Sequence, residues 1–116
     1  MTDHPALAAC AAAHIRDLAA ATSDPRDAYA NHADLAAVAG SLLSLAQHLE
    51  DALRHLAQHV ERHDTDWDTA DEERRLPRQV ARAASTRVRS AEADAHNMAR
   101  ALGRAVGELG RLRPAP

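Results

Sequence analysis

Two long stretches of the chain repeat apolar residues at steps of three or four positions, and this spacing limits the fold more than any other feature. Such steps place side chains on one side of an α-helix, whereas one face of a β-strand needs steps of two. The first stretch runs from Leu35 to Val60 and the second from Val80 to Leu109. The sequence therefore predicts an all-α protein, with a short N-terminal helix and a long antiparallel helical hairpin.

Capping and turn residues set the expected ends of three helices within a single domain over residues 1–116. The first helix is expected over about 5–21. Asp24 can cap a second helix over about 25–63, because Pro25 then takes the first helical position, where it needs no N–H partner. The third helix is expected over about 77–112. Since Pro77 inside a helix causes a kink, the alternative is a separate short helix over about 69–75 before it.

The apolar stripes of the two long helices predict a thin seam that forms either the core of the hairpin or a dimer interface. About a quarter of the residues are alanine and none is phenylalanine. Alanine favours helix but contributes little apolar area. We therefore expect the chain to form a homodimer, a four-helix or larger bundle with coiled-coil packing. The largest side chains of this seam are Leu42, Leu45, Leu49, Leu56, Met98 and Leu102.

Arginine is concentrated in the third helix, where a helical projection places it in a band opposite the predicted seam. The 14 basic residues are all arginine, and residues 73–116 are basic although the whole chain has a net charge of -3. Guanidinium groups bind phosphates and carboxylates, so this arginine band predicts a docking strip for nucleic acid or an acidic partner. The alternative is a solvated helix face. The arginine band consists of Arg75, Arg78, Arg82, Arg89, Arg100, Arg104 and Arg111.

Histidines in the second helix are the candidates for a metal site. His55, His59 and His63 stand four residues apart, a spacing that brings neighbours within reach of one ion. Two helical histidines make only half of a tetrahedral site, and the third helix offers no inward ligand. We therefore expect neither a metal nor a cofactor. A glycine-rich phosphate loop is also missing from the sequence, and we expect no enzymatic activity.

These patterns favour a non-enzymatic helical interaction protein or regulatory adaptor that acts through contacts with another protein. The alternative is a nucleic-acid-associated protein that uses the arginine band. Residues 1–20 contain Asp3 and Asp17 and no basic start, which differs from a secretory signal. No run approaches the roughly 18 apolar residues of a membrane-spanning helix. We therefore expect a cytoplasmic protein without a membrane partner.

Overall fold

Three α-helices make up most of the chain. The computed structural model describes residues 2–26, 29, 31–65 and 75–112. Within these ranges the order is α1 (His4–Ala21), α2 (His32–Thr65) and α3 (Arg75–Leu109), without a strand. α2 and α3 pack against each other along their length as an antiparallel hairpin. The prediction of an all-α helical hairpin is confirmed.

Side-chain caps fix both ends of α1. The Asp3 Oδ1 atom accepts a hydrogen bond from the N–H of Ala6 at 3.1 Å, which satisfies one of the amides left unpaired at a helix N-terminus. At the other end, the Thr22 hydroxyl donates to the carbonyl of Leu18 at 2.8 Å. These local bonds explain why α1 is helical although none of its residues is buried.

α2 begins at His32 rather than near Pro25. The Asp24 carboxylate accepts a hydrogen bond from the N–H of Arg26 at 2.9 Å, and this side-chain turn competes with helix formation. Asn31 provides the cap instead, because its side-chain oxygen accepts from the N–H of Asp34 at 2.9 Å. The predicted start was therefore seven residues early because a second capping residue follows the first.

α3 begins at Arg75, so Pro77 is the third residue of the helix. The first four amides of an α-helix have no partner within the helix. A proline at this position removes no hydrogen bond. The helix therefore runs through Pro77 and does not start there. The proposed short helix over 69–75 falls almost entirely on residues outside the described ranges.

Small side chains fill the interface between α2 and α3. Ala46 and Ala57 are fully buried and Ala95 is 3% exposed, whereas no large side chain of the described residues is fully buried. Positions that face the other helix alternate at steps of three and four, as in a coiled coil. On α2 they are Ala39, Leu43, Ala46, Glu50, Leu53, Ala57 and Val60; on α3 they are Arg78, Ala81, Ser85, Val88, Glu92, Ala95, Ala99, Leu102, Val106 and Leu109.

The predicted seam is therefore wrong as a description of the hairpin core. Leu45, Leu49, Leu56 and Met98 are all exposed, and Leu42 is half-buried beside the interface. Of the six seam residues, only Leu102 takes an inward-facing position. The helices are rotated by about one residue from the expected arrangement, which brings Ala46 and Ala57 into the interface and turns Leu45, Leu49 and Leu56 outward.

α1 lies loosely beside the first part of α2. An open groove of about 330 Å³ separates Ile15 and Leu18 of α1 from Val38, Leu42 and Leu45 of α2. Among the described residues, no Cα of α1 comes within 8 Å of a Cα of α2 or α3. The N-terminal helix thus shields only part of the leucine-rich side of α2.

Candidate interaction surface

The hairpin has two unlike flanks, one on each side of the alanine interface. In an antiparallel helix pair, residues that follow an inward-facing position lie on one flank in both helices, and residues that precede one lie on the opposite flank. The charged flank contains Arg54 and Glu61 of α2 with Arg89 and His96 of α3, which each follow an inward-facing residue. The apolar flank contains Leu42, Leu45, Leu49 and Leu56 of α2 with Val80 and Met98 of α3, which each precede one.

Arg54 joins the two helices at the centre of the charged flank. Its Nε donates to Glu92 at 3.2 Å across the interface. The other two guanidinium nitrogens donate along α2, to Asp51 at 2.9 Å and to Glu50 at 2.9 Å. One arginine therefore pairs with both glutamates that face inward, each of which has a side chain only 19% exposed.

Arg89 makes a second set of bonds between the helices. Its Nε and Nη2 donate to the two carboxylate oxygens of Glu61 at 2.9 and 3.0 Å, the bidentate geometry that arginine and carboxylate favour. The third nitrogen donates to Glu92 at 3.0 Å. Glu61 also accepts from the buried Ser85 hydroxyl at 2.9 Å. Both arginines consequently meet at Glu92.

His96 extends the cluster at one end, where its Nδ1 lies 2.9 Å from Glu50 Oε1. Hydrogen bonds now connect seven side chains without a break, from His96 through Glu50, Arg54, Glu92, Arg89 and Glu61 to Ser85. Most of the hydrogen-bonding capacity of the charged flank is thus used within the hairpin.

The pKa values of these groups shift in the directions that such pairing requires. Hydrogen bonds from Arg89, and then from Ser85, lower the pKa of Glu61 below its ordinary value of 4.5. The bond to Glu92, followed by that to Asp51, raises the pKa of Arg54. Bonds to Glu61 and Glu92 likewise raise the pKa of Arg89. The charged forms are therefore favoured across the physiological range.

The arginine band does not lie wholly opposite the interface. Arg78 takes an inward-facing position, and Arg89 belongs to the charged flank; Arg78 and Arg82 also have interaction partners. Arg100 and Arg104 remain exposed on the outer part of α3, and Arg111 is exposed in the turn that follows it. The side chain of Arg75 is not among those described. Since the band is divided between structural pairs and solvent, the binding of phosphates by this band stays a prediction for its exposed part.

The histidine spacing brings no metal-binding cluster together in the described part of the chain. Within it, no group of three His, Cys, Asp or Glu side chains is placed to hold a metal ion. His55 and His59 are exposed on α2. The side chain of His63 lies outside the described set.

The apolar flank contains most of the large residues that the sequence predicted for either the hairpin core or a dimer interface, and the structure contradicts only the first of these two interpretations. Leu49, Leu56 and Met98 are 39%, 49% and 41% exposed. Large side chains were expected inside because their burial stabilises most. A different signal identifies the interface: Ala46, Glu50, Leu53 and Ala57 follow one heptad phase. In that heptad phase Glu50 and Glu92 are also recognisable as inward-facing partners for arginines.

In comparisons with known proteins, no protein-family model, curated protein or solved structure matches the chain. Within the described residues, no helix combines the length and apolar character needed to cross a membrane.

Proposed function

We propose that this chain is a non-enzymatic interaction protein that binds other helices through its apolar flank. The observation that carries the proposal is the position of the exposed large side chains. Every large apolar residue of α2 and α3 that is exposed within the described helices precedes an inward-facing position: Leu45, Leu49, Leu56, Val80 and Met98. Exposed apolar residues gathered on one side mark an interaction surface, whereas scattered ones do not.

The width of the apolar surface also supports this function. A helix with one neighbour needs a single stripe of inward-facing residues, but a helix in a bundle needs an adjacent stripe as well. α2 carries both stripes, since Leu49 and Leu56 stand next to Glu50 and Ala57. The pattern is typical of a helix that packs against a second element in addition to α3.

The proposal predicts that a charge on the apolar flank abolishes protein binding. The test compares capture from a lysate by the wild type, the double variant Leu49→Asp with Leu56→Asp, and the control Ser44→Asp with Gln58→Asp. Ser44 and Gln58 are exposed residues of α2 on the other side of the helix, so the control adds the same charge to the same helix. Proteins that bind the wild type and the control should be lost from the flank variant. Equal capture by all three proteins, together with equal self-association, overturns the proposal.

The alternative, a nucleic-acid-associated function, draws its support from the exposed arginines of α3. Arg100 and Arg104 are available, whereas Arg89 already binds two glutamates. If they bind phosphates, retention on duplex DNA should decrease as salt rises and should weaken in Arg100→Gln with Arg104→Gln. We favour protein binding, because the net charge of -3 opposes association with a polyanion.

A further inference from the structure

We infer that the occupant of the apolar flank is a second copy of this chain, packed so that the leucines of α2 lie on the alanines and the methionine of the partner's α3. This inference rests on the proposed function and names the partner. It combines three independent observations: the surface area of the single chain, the limited reach of α1, and the shape of the flank.

The accessible surface is far larger than a compact monomer requires. The chain has an accessible surface of 9164 Å². A compact monomer of the same 12.5 kDa mass has about 6,200 Å² by the usual scaling of area with mass. A standard protein interface buries about 800 Å² on each partner. The excess is therefore ample for an interface between two chains.

The helix within the chain that could cover the flank reaches only its beginning. α1 has 18 residues, or about 27 Å of helix, against 34 residues in α2. The residues of α2 that line its groove are 37–45. Leu49 and Leu56 lie beyond this groove, as do the exposed Val80 and Met98 of α3. Among the described helices, none covers this part of the flank, and a helix of a second chain can.

The flank combines a ridge with a shallow strip. Leu42, Leu49 and Leu56 form a ridge along α2, one helical repeat of seven residues apart. The cross-helix bonds of Arg54 to Glu92 and of Glu61 to Ser85 set which residues are level with one another. On this pairing Leu56 is level with Ala91, Leu49 with Met98, and Leu42 with Ala105. The ridge on α2 thus stands beside alanines at its two ends and beside Met98 at its centre.

Two copies of the chain can cover the apolar flank on both α2 and α3 at once. A two-fold axis parallel to the helices places α2 of each chain over α3 of the other, so Leu42 and Leu56 meet alanines of the partner chain and Leu49 meets the partner's Met98. The leucines at the two ends of the ridge then interdigitate with small side chains, as a packed core requires. Each helix also runs antiparallel to its neighbours, which is the usual arrangement in a four-helix bundle. Such an interface is isologous, so it closes at two chains.

Sedimentation equilibrium tests whether two copies of the chain form a dimer. The wild type and Ser44→Asp should be dimers at micromolar concentration. Leu56→Asp should raise the dissociation constant by roughly a hundredfold, because an unpaired carboxylate in an apolar interface costs several kcal/mol. Circular dichroism of the same samples should show that Leu56→Asp keeps its helices. A monomeric wild type overturns the inference, and so does a Leu56→Asp dimer as tight as the control.

Cross-linking between single-cysteine chains tests the arrangement. In a Cys10→Ser background, a chain with Leu56→Cys is mixed with a differently tagged chain carrying Ala91→Cys and treated with a short thiol cross-linker. The mixed pair should cross-link well, and Leu56→Cys with Ala93→Cys, on the opposite flank, should not. Equal yields from Ala91→Cys and Ala93→Cys overturn the proposed packing.

The two proposals fail in different ways. A wild type that stays monomeric, yet captures other proteins through Leu49 and Leu56, overturns the second copy and leaves the proposed function in place. A flank variant that changes neither association nor capture overturns both.

Discussion

Along the charged flank of the hairpin, polar groups find their partners within the chain; along the apolar flank, large side chains face solvent. Arg54 and Arg89 link α2 to α3 through Glu92, a glutamate that faces inward. Leu49 and Leu56, on the other side of α2, are left 39% and 49% exposed. The two flanks therefore differ in where their side chains find partners. One connects the helices of a single chain, and the other is the surface that we propose binds a further helix.

The largest effect should come from placing a charge inside the alanine interface rather than on its flank. Ala57 is fully buried, whereas its neighbour Leu56 is 49% exposed. Ala57→Asp should lower the free energy of unfolding by several kcal/mol, since a buried carboxylate without a partner is costly. Urea unfolding monitored by circular dichroism measures this.

Leu56→Asp is the matched control at a dilution where chains do not associate. It should change the free energy of unfolding by no more than about 0.5 kcal/mol, as exposed substitutions usually do. Equal destabilisation by both variants contradicts the assignment of alanines to the interior and leucines to the surface.

A smaller effect should separate two arginines that the sequence places in one band. Arg89 donates three hydrogen bonds to Glu61 and Glu92, whereas Arg104 is exposed on the outer side of α3. Arg89→Gln should lower the melting temperature measurably, because it leaves two carboxylates with fewer donors. Arg104→Gln should leave the melting temperature unchanged. If both variants melt together with the wild type, the charged flank contributes nothing to stability.

Acid should weaken the charged flank in a defined pH window. The pKa of Glu61 is lowered below its ordinary value of 4.5, first by hydrogen bonds from Arg89 and then by that from Ser85. A lowered pKa in the folded state means that the unfolded chain binds the proton first, so the stabilisation is complete above 4.5 and is lost as pH falls through the folded value. Thermal melts should show this decline, and Glu61→Gln should reduce it. The same decline in Glu61→Gln argues that other carboxylates cause it.

A gain in stability should come from a substitution on the side away from the leucines. A Cβ built at Gly107 meets nothing within 4 Å outside its own helix. Gly107→Ala should therefore raise the free energy of unfolding by up to about 1 kcal/mol through helix propensity alone. It should not change self-association, since Gly107 lies on the same side as the charged flank. If Gly107→Ala weakens the dimer, the partner binds the charged flank and the proposed packing is wrong.

Much of the fold could be predicted from the sequence, because apolar spacing depends on helix geometry alone. The rotation of the helices could not, because it depends on how closely they approach. Interpreting the large residues as core placed Leu49 and Leu56 inside, whereas close approach favours Ala46 and Ala57. The start of α2 depended on a competition between two capping residues, Asp24 and Asn31, which local preference alone does not decide. The arginine band was recognisable as a pattern, but its partners lie on another helix.

The inward-facing glutamates have a further consequence for the uniqueness of the hairpin. An interface made mainly of alanine, valine and leucine stays apolar after one helix slides past the other by seven residues. Glu50 and Glu92 disfavour this slide, because a slide of one heptad separates Glu92 from Arg54 and brings its carboxylate beside apolar side chains. Partly buried charges of this kind contribute little net free energy, yet they distinguish one register from the others. The charged cluster thereby selects one register of the two helices. This register determines which leucines and which alanines lie together at the surface.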